Sequence, residues 1–596
     1  MLPRRNAPDQ RNLILAVLLS AMLIIAWQAL VEAPKRRELA QWNVLHEQKK
    51  QEQAAAERAR VNTPEENAVP MTREQQLAQS PRVPIASPKL SGSIALRGLR
   101  LDDLVLAKYR ETIDPKSPPV TLLAPQGQPD AYFAQIGWLP QGAETARLPN
   151  DQTLWQADGK TLTPQAPLTL HWDNGAGVRF FITVALDGNY MFTITQRVEN
   201  QSGAPVSVVP YGYINRAYED PGSHAYILHE GPIGVLDSSL KEVVYKDLRD
   251  KGSQAFDQTQ GWLGITDKYW LVALVPGEPF RARFDYYQKN GQDRYQVDYT
   301  GTPLTIAPGQ HADSHLHFFS GAKELDALDH YAKGDAQAGI PPIPLFDRAV
   351  DFGVFYFLTK PLALFLNFLY KMVGNFGVAI LLLTVCIKLL MFPLANKGYH
   401  AAAQMRALQP QMQYLRDLHQ NDRVKMQQAL MELYKREKVN PAAGCLPIFV
   451  QIPVFFSLYK VLYVTIEMRH APFFGWIRDL SAADPSNIFN LFGLIPWQPP
   501  IWLHLGLLPI VMGVTMLVQM KQQPAPTDPV QAKMMKLMPY FFTLMLARMP
   551  AGLVLYWTCS NLLSIVQQLA ITRRYEALKA DAQESGASAK AGSRSA

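Results

Sequence analysis

VAILLLTVCIKLLMFPLANK, residues 378–397, is an apolar run long enough to cross a bilayer, and one lysine, Lys388, sits inside it. An ionised lysine among hydrocarbon costs about 2.5 to 3.5 kcal/mol on insertion scales, so the position calls for water or an anion nearby. Asn396 and Lys397 mark the expected end of the helix, eight residues beyond Lys388. At the helical rise that is about 12 Å, more than a lysine stem comfortably covers. The competing account is snorkelling toward the cytoplasmic end, which the sequence alone leaves open. The stretch therefore predicts a membrane helix with a polar notch.

Working outward, the run belongs to a span at about 374–396, with further spans expected at 444–466, 502–521, 534–549 and 551–571. Residues 12–31 form a charge-free stretch preceded by Arg4, Arg5 and Arg11, which predicts a sixth span with its amino end inside. A cleaved signal peptide is disfavoured, because the stretch exceeds an ordinary signal core and no clear small-x-small site follows. The connection 397–441 holds eight Lys/Arg against four Asp/Glu and is predicted to be cytoplasmic. Residues 351–372 are apolar but interrupted by Lys360 and Pro361. A crossing there would put the basic connection on the wrong side, so this segment is expected to lie in the outer interface. Arg573 and Arg574 then place the carboxyl tail inside, as six crossings require.

The other half of the chain has a different solvent. Apolar residues make up 48% of the sequence while mean hydropathy is only −0.08, an average that hides two kinds of domain. Residues 32–88 are rich in Gln, Glu, Ala, Arg and Pro and read as a tether. From 90 to 340, short alternating runs such as LTLHW, VRFFITVAL and YWLVALVP are separated by turn signals such as WDNGAG, LDGN and ENQSGAP, which predicts an antiparallel β-sandwich outside the cytoplasm. The fold class expected is thus multidomain: an α-helical polytopic membrane core of six transmembrane helices, five forming the core proper, plus an all-β domain. The net charge of +7 has no Arg/Lys cluster interleaved with aromatics, so sequence-specific nucleic-acid binding is not expected.

Several polar residues on the spans could line one wet cavity with Lys388: Thr384, Gln451, Gln519, Thr558, Ser560, Asn561 and Ser564. For any one of them, ordinary interhelical hydrogen bonding is the commoner explanation. No Asp or Glu lies inside a predicted span, the nearest being Glu467 at a helix end. That argues against proton-coupled transport and intramembrane acid/base catalysis, and suits a guest that brings its own acids. The basic connection carries Met405, Leu408, Met412, Leu415, Met426, Leu430 and Leu433 at helical spacing with a break near Asn421, an amphipathic hairpin whose Arg406, Arg416, Lys425 and Lys435 could form a docking face. Methionines at 512, 516, 520, 534, 535, 538, 545 and 549 suit lipid contact or adaptable apolar surfaces. Cys386, Cys445 and Cys559 lie in or beside spans, which disfavours disulfides and a cysteine metal site. His311, His315 and His317 lack a further ligand and read as strand residues, so no metal and no cofactor is expected.

MFPLANK (391–397), MRALQPQM (405–412), LYKREKVNPAAGCLPIFVQIPVFFSLY (433–459), FGWIRDLSAADP (474–485), TDPVQAKMMKLMPYFFT (527–543) and PAGLVLYWTCSNLLSIVQQ (550–568) resemble the YidC/Oxa/Alb insertases, over about 350–572. GWLGITDKYWLVALVP (261–276) and DGNYMFTITQRVEN (187–200) resemble the periplasmic domain of the Gram-negative branch, a β-supersandwich. The resemblance implies a non-enzymatic membrane protein insertase of the bacterial inner membrane, with a hydrophilic groove whose basic residue attracts a client's amino-terminal segment. By position before MFPL that residue is Lys388, where many members have arginine. Lysine keeps the charge but lacks the bidentate fork. Tyr556 and Trp557 fall where members contact the client helix. Implied partners are nascent membrane-protein clients, the ribosome, the Sec translocon and the lipid bilayer, with a monomer as the working unit. The organisation implied is an anchor at 1–32, a tether at 33–89, the periplasmic domain at 90–340, an interfacial amphipathic helix at 341–373, the insertase core at 374–572 with its hairpin at 397–441, and a basic cytoplasmic tail at 573–596. Two rivals are a channel or transporter with a sensing domain, which should show repeat symmetry, and a carbohydrate-active enzyme.

Overall fold

The computed structural model describes residues 71–592, apart from 142–145, 218–227, 290, 420–421, 440–445, 498, 501–503 and 524–528. The amino-terminal span and Cys445 therefore lie outside the described residues.

Alternation decides the β half. Val178–Leu186 buries every second residue without exception, and Met191–Asn200 continues the pattern on the neighbouring strand. The turns are built by their own side chains: Asp187 Oδ1 accepts from the Asn189 and Met191 amides at 2.8 and 3.0 Å, and Asn174 Oδ1 from Ala176 and Val178 at 2.7 and 3.0 Å. Gly175 and Gly177, at φ 75° and 84°, supply the left-handed backbone that WDNGAG needs. Two sheets result, one of ten strands and one of nine, whose strand pairs are antiparallel. Tyr132–Pro140, Val206–Arg216, Gln292–Thr300 and Phe280–Lys289 are neighbours in the first; Trp270–Pro276, His311–Ala322, Met191–Asn200 and Val178–Leu186 are neighbours in the second. Phe180, Phe192, Trp262 and Phe284 are fully buried between them, each side chain worth roughly 1.5 to 3 kcal/mol of burial.

One boundary differs from the sequence reading. The first strand is Arg82–Ala86, paired with Leu90–Ala95, and helix α1 (Arg73–Leu77) precedes it. Pro84 and Pro88 made this stretch look like tether, but Val83 and Ile85 face the core while Pro84 points out on an edge strand. Helix α2 (Tyr245–Lys251) interrupts the second half of the sandwich, and α3 (Leu325–Lys333) leads out of it.

The helical half comprises α4 (Tyr356–Val373), α5 (Phe376–Leu390), α6 (Phe392–Ala407), α7 (Gln409–Leu418), α8 (Arg423–Arg436), α9 (Leu446–Val464), α10 (Leu507–Lys521), α11 (Pro529–Leu546) and α12 (Ala551–Gly592). Lys360, which interrupts the apolar pattern of α4, reaches Asp329 on α3 at 2.6 Å and Asp347 at 2.7 Å, so the break ties the helix to the β half. Lys460 on α9 does the same with Asp351 at 2.8 Å. A second difference lies at Met391: instead of one straight helix ending near 396, α5 stops at Leu390 and α6 leaves at a 67° bend. Pro393 cannot donate back to residue 389 and its ring crowds that turn, while it fits the first turn of a new helix. Lys388 is thus in the last turn of α5, three residues before the corner rather than eight before the end of a straight span.

Among the described residues one helix, Ala551–Arg574, is long and apolar enough by itself to span a bilayer, and the bent pair α5 plus α6 qualifies together. Val450–Val464 and Leu507–Lys521 are shorter apolar helices. The expected count of six spans is therefore not reached by length and composition within the described residues.

The basic connection is helical and has its own small core. Leu408, Met412, Leu430, Leu433 and Val439 form one buried cluster with Met405, Leu415 and Met426 around it. The hairpin is moored by Arg406, whose guanidinium donates to the Lys521 carbonyl at the end of α10 at 2.7 Å. Replacing Arg406 by alanine is expected to cost about 1 kcal/mol locally. Hydrogen exchange should then quicken across 408–439 and stay unchanged in the sandwich.

Candidate lipid-facing groove on helix α12

Helix α12 carries Tyr556, Ser560 and Ser564 in one row four residues apart, with Trp557 and Asn561, and one further residue, Gln568, beside it. Together they reach α5, α9, α10 and α11. Lys388 Nζ on α5 donates to Ser564 Oγ at 2.9 Å. Gln451 Nε2 on α9 donates to the Tyr556 hydroxyl at 2.8 Å. Asn561 Nδ2 donates to Thr515 Oγ1 on α10 at 3.1 Å, and Gln568 Nε2 to the Gln522 carbonyl at 2.8 Å. Trp557 wedges between Phe455 and Phe542, with ring centroids at 4.8 and 5.4 Å. Among the described residues Lys388 has no carboxylate partner.

The arrangement leaves hydrogen-bonding capacity free. Ser457 Oγ on α9, Gln522 Oε1, and Gln567 Nε2 and Gln568 Oε1 on α12 are buried without a protein partner. Such atoms are rare in a dry helical bundle, where each costs about 1 to 3 kcal/mol. They leave a path of unmet polar atoms on α12 and the helices beside it.

Not every predicted residue joins this path. Thr384 is fully buried and its hydroxyl is spent on the Ile380 carbonyl at 2.7 Å, so it is an intrahelical bond one turn from Lys388. Gln519 is half-buried on α10. Ser560 and Tyr556 are buried, at 7% and 3% exposure. Of the hairpin residues, Lys425 pairs with Asp422 on its own helix start at 3.3 Å and Lys435 is exposed, while Arg406 is engaged with α10. Thr515 and Gln568 had not been singled out: a lone threonine or glutamine in an apolar helix says nothing until its partner, 46 residues away in both cases, is known. On the outer face of α11, Met534, Met538 and Met545 are exposed together with Leu537, Phe541 and Leu544, the aspect expected of a surface that meets lipid tails.

Among the described residues no group of three or more metal-ligating side chains is found. His315 and His317 bond Thr195 and Thr193 across the strand pair at 3.4 and 3.3 Å. His315 is exposed as read, but His317 is buried, and burial pulls its imidazole down to about 4.

Comparison with known proteins follows the same division. Residues 82–365 match the YidC periplasmic domain family and residues 368–579 the 60Kd inner membrane protein family. The chain is 46% identical over 569 residues to the membrane protein insertase YidC of Rickettsia bellii, covering 94% of this chain and 98% of that protein. It is 48% identical over 603 residues to the YidC of Bradyrhizobium diazoefficiens, covering 95% and 96%. A crystal structure of an active YidC insertase superposes with a TM-score of 0.34 at 17% identity over 83% of this chain and 95% of that one. A sandwich that begins at Arg82 rather than Leu90 is also where the first family match begins. With near full-length identity at this level on both halves, the chain belongs to the YidC family of membrane protein insertases.

Proposed function

We propose that the chain inserts client segments into the bacterial inner membrane along α12, by an attraction and partition mechanism without covalent chemistry. The single observation that carries this reading is Lys388: an ammonium at the corner between α5 and α6, held by the Ser564 hydroxyl and by no carboxylate among the described residues. A client's leading segment that carries Asp or Glu supplies the missing anion. At 4 Å and an effective dielectric of 20 such a pair is worth about 4 kcal/mol before desolvation is subtracted. The inside-negative membrane potential then favours moving the acid outward by about 2.3 kcal/mol per charge per 100 mV. The client's apolar segment meanwhile slides past Tyr556 and Trp557 into lipid, where flexible methionines on α10 and α11 accept varied shapes.

The corner at Met391 adds to this reading. Because the last turn of α5 ends three residues after Lys388, its free carbonyls favour a cation at that place. A turn in the chain at that depth also breaks the apolar wall where a polar segment must enter. Six crossings with both termini cytoplasmic and the β-domain periplasmic remain the arrangement that the charge of the loops favours. The hairpin, with Lys435 and the engaged Arg406, is the face for a ribosome, and the bilayer and the Sec translocon are the neighbours in the membrane. Groove roles are assigned to Lys388, Ser564, Gln451, Tyr556, Trp557, Ser560 and Asn561, and supporting roles to Thr384 and Gln519.

Reconstitution of the full chain into liposomes with a small single-span client tests the function. Protease-protected client is expected at levels well above protein-free liposomes, with no requirement for nucleotide. Solute uptake or glycan turnover without insertion would instead favour a transporter or an enzyme.

A further inference from the structure

One well-formed cavity lies outside the helical half. It is a cleft of about 620 Å³ on the outer face of the ten-stranded sheet, closed on one side by the segment Ala146–Asp151 and by Arg100. Its floor is aromatic. Tyr211 and Tyr213, two apart on one strand, stack with their rings nearly parallel, 10° between the planes and centroids 6.2 Å apart, and Phe133 meets Tyr213 edge-on. Tyr211 leans over its cross-strand neighbour Gly137, where a Cβ would meet the ring at 3.1 Å.

The rest of the lining is rich in donors. Arg100, Arg147, Lys289 and Arg294 face a single described acid, Asp151. Gln135, in the floor, is spoken for: its carbonyl accepts from the Tyr213 hydroxyl at 2.6 Å and from Arg100 Nε at 3.4 Å, and its amide donates to the Gly98 carbonyl at 3.1 Å. Arg294 is different. It is only 6% exposed, its Nη2 donates to Gln292 at 3.2 Å, and its Nε and Nη1 have no acceptor. Burial pulls this guanidinium below its ordinary value, with no carboxylate to offset it. A buried cation with two unmet donors is expensive for a fold that gains nothing from it. Burial also raises both Tyr211 and Tyr213, so they stay neutral hydroxyls at physiological pH.

We propose that this cleft binds an anionic sugar, one or two rings bearing a carboxylate or a phosphate. The apolar face of a pyranose lies on the Tyr211–Tyr213 platform, and its acid meets Arg294 with Arg147 and Lys289 at the rim. The volume falls in the range of small-ligand sites. Planar guanidinium forks match carboxylate and phosphate oxygens. An acidic peptide would use the charge but leave the aromatic floor without a matching face. This site is separate from the α12 groove and stands or falls without it.

The full-length chain in nanodiscs, probed by saturation-transfer NMR and calorimetry, tests the assignment. Glucuronate and glucose 6-phosphate are expected to bind, with glucose about tenfold weaker and contacts strongest at the ring protons. Arg294→Gln should weaken both anions about tenfold. Arg147→Ala, at an exposed position that cannot compromise the fold, should weaken them severalfold, and Gly137→Ala should remove the ring-proton contacts by lifting Tyr211. Equal binding of glucose, equal binding of inorganic phosphate, binding of a glutamate-rich peptide alone, or silence of every probe would each overturn it.

Discussion

Replacing Lys388 by glutamate is expected to abolish insertion of clients whose leading segment carries Asp or Glu, while clients with an uncharged short leader lose little. The physical basis is the sign of one charge. An attraction of about 4 kcal/mol at an effective dielectric of 20 becomes a repulsion of the same size. After the entry cost common to all clients is removed, a swing of several kcal/mol reduces the rate by two orders of magnitude or more. Lys388→Gln should fall in between, since the amide still bonds Ser564 and keeps the helices together but offers no charge. Lys388→Arg should restore insertion fully, because guanidinium keeps the charge and adds a fork for a carboxylate. Ser564→Ala separates positioning from charge: Nζ loses its 2.9 Å partner but remains a cation at the same corner, so a severalfold loss is expected. Protease protection of radiolabelled clients in proteoliposomes reads all four. Wild-type insertion of an acidic-leader client by Lys388→Glu would falsify the attraction step and leave family membership untouched.

The uneven legibility of the sequence has physical causes. The hairpin was readable because helical spacing is local: Met405, Leu408, Met412, Leu415, Met426, Leu430 and Leu433 all return in one apolar cluster. The sandwich turns were readable for the same reason, since Asp187 and Asn174 bond amides two and four residues on. Lys388 stood out because its cost in hydrocarbon does not depend on the fold. Its partner did not, since Ser564 is 176 residues away and many polar residues compete for the role. The corner at Met391 was missed because a proline in an apolar run is compatible with a kinked span as well as with the first turn of a new helix. Edge strand Arg82–Ala86 was missed because its prolines imitate a linker. The aromatic cleft was invisible for a simpler reason: Gly137, Tyr211 and Arg294 meet only once strand register is fixed, and register is a property of the sheet, not of any one strand.

Raising the pH from 5.5 to 8 is expected to loosen the contact between the sandwich and the outer ends of the helices, and Glu467→Gln is expected to remove that dependence. Glu467 follows α9 in the short helical turn Ile466–Met468, and one carboxyl oxygen accepts from the Leu325 amide at the start of α3 at 2.9 Å. The other oxygen is buried and has no partner. Glu324 and Asp326 face it from α3 and its cap. Glu324 is itself engaged by Lys89 at 2.6 Å and by the Tyr109 and Tyr190 hydroxyls at 2.9 and 2.7 Å, and Asp326 by Lys371 at 2.9 Å. Burial, with these neighbouring acids adding to it, pushes the Glu467 carboxyl up to about 7 from an ordinary 4.5. A carboxyl raised on folding binds its proton more tightly in the folded state. The stability it confers is complete below about 4.5 and is lost as pH rises through about 7. At 1.36 kcal/mol per unit the full span is about 3 kcal/mol. Glutamine resembles the protonated acid at every pH, so the variant should exceed the native chain's stability by about 1 kcal/mol at pH 5.5 and by about 3 kcal/mol at pH 8. Hydrogen exchange across Leu325–Lys333 and denaturant midpoints at the two pH values measure this. Parallel pH profiles for the two proteins would show that the carboxyl is already ionised in the fold, and that α3 is held by ion pairs such as Lys360–Asp329 and Lys371–Asp326 instead.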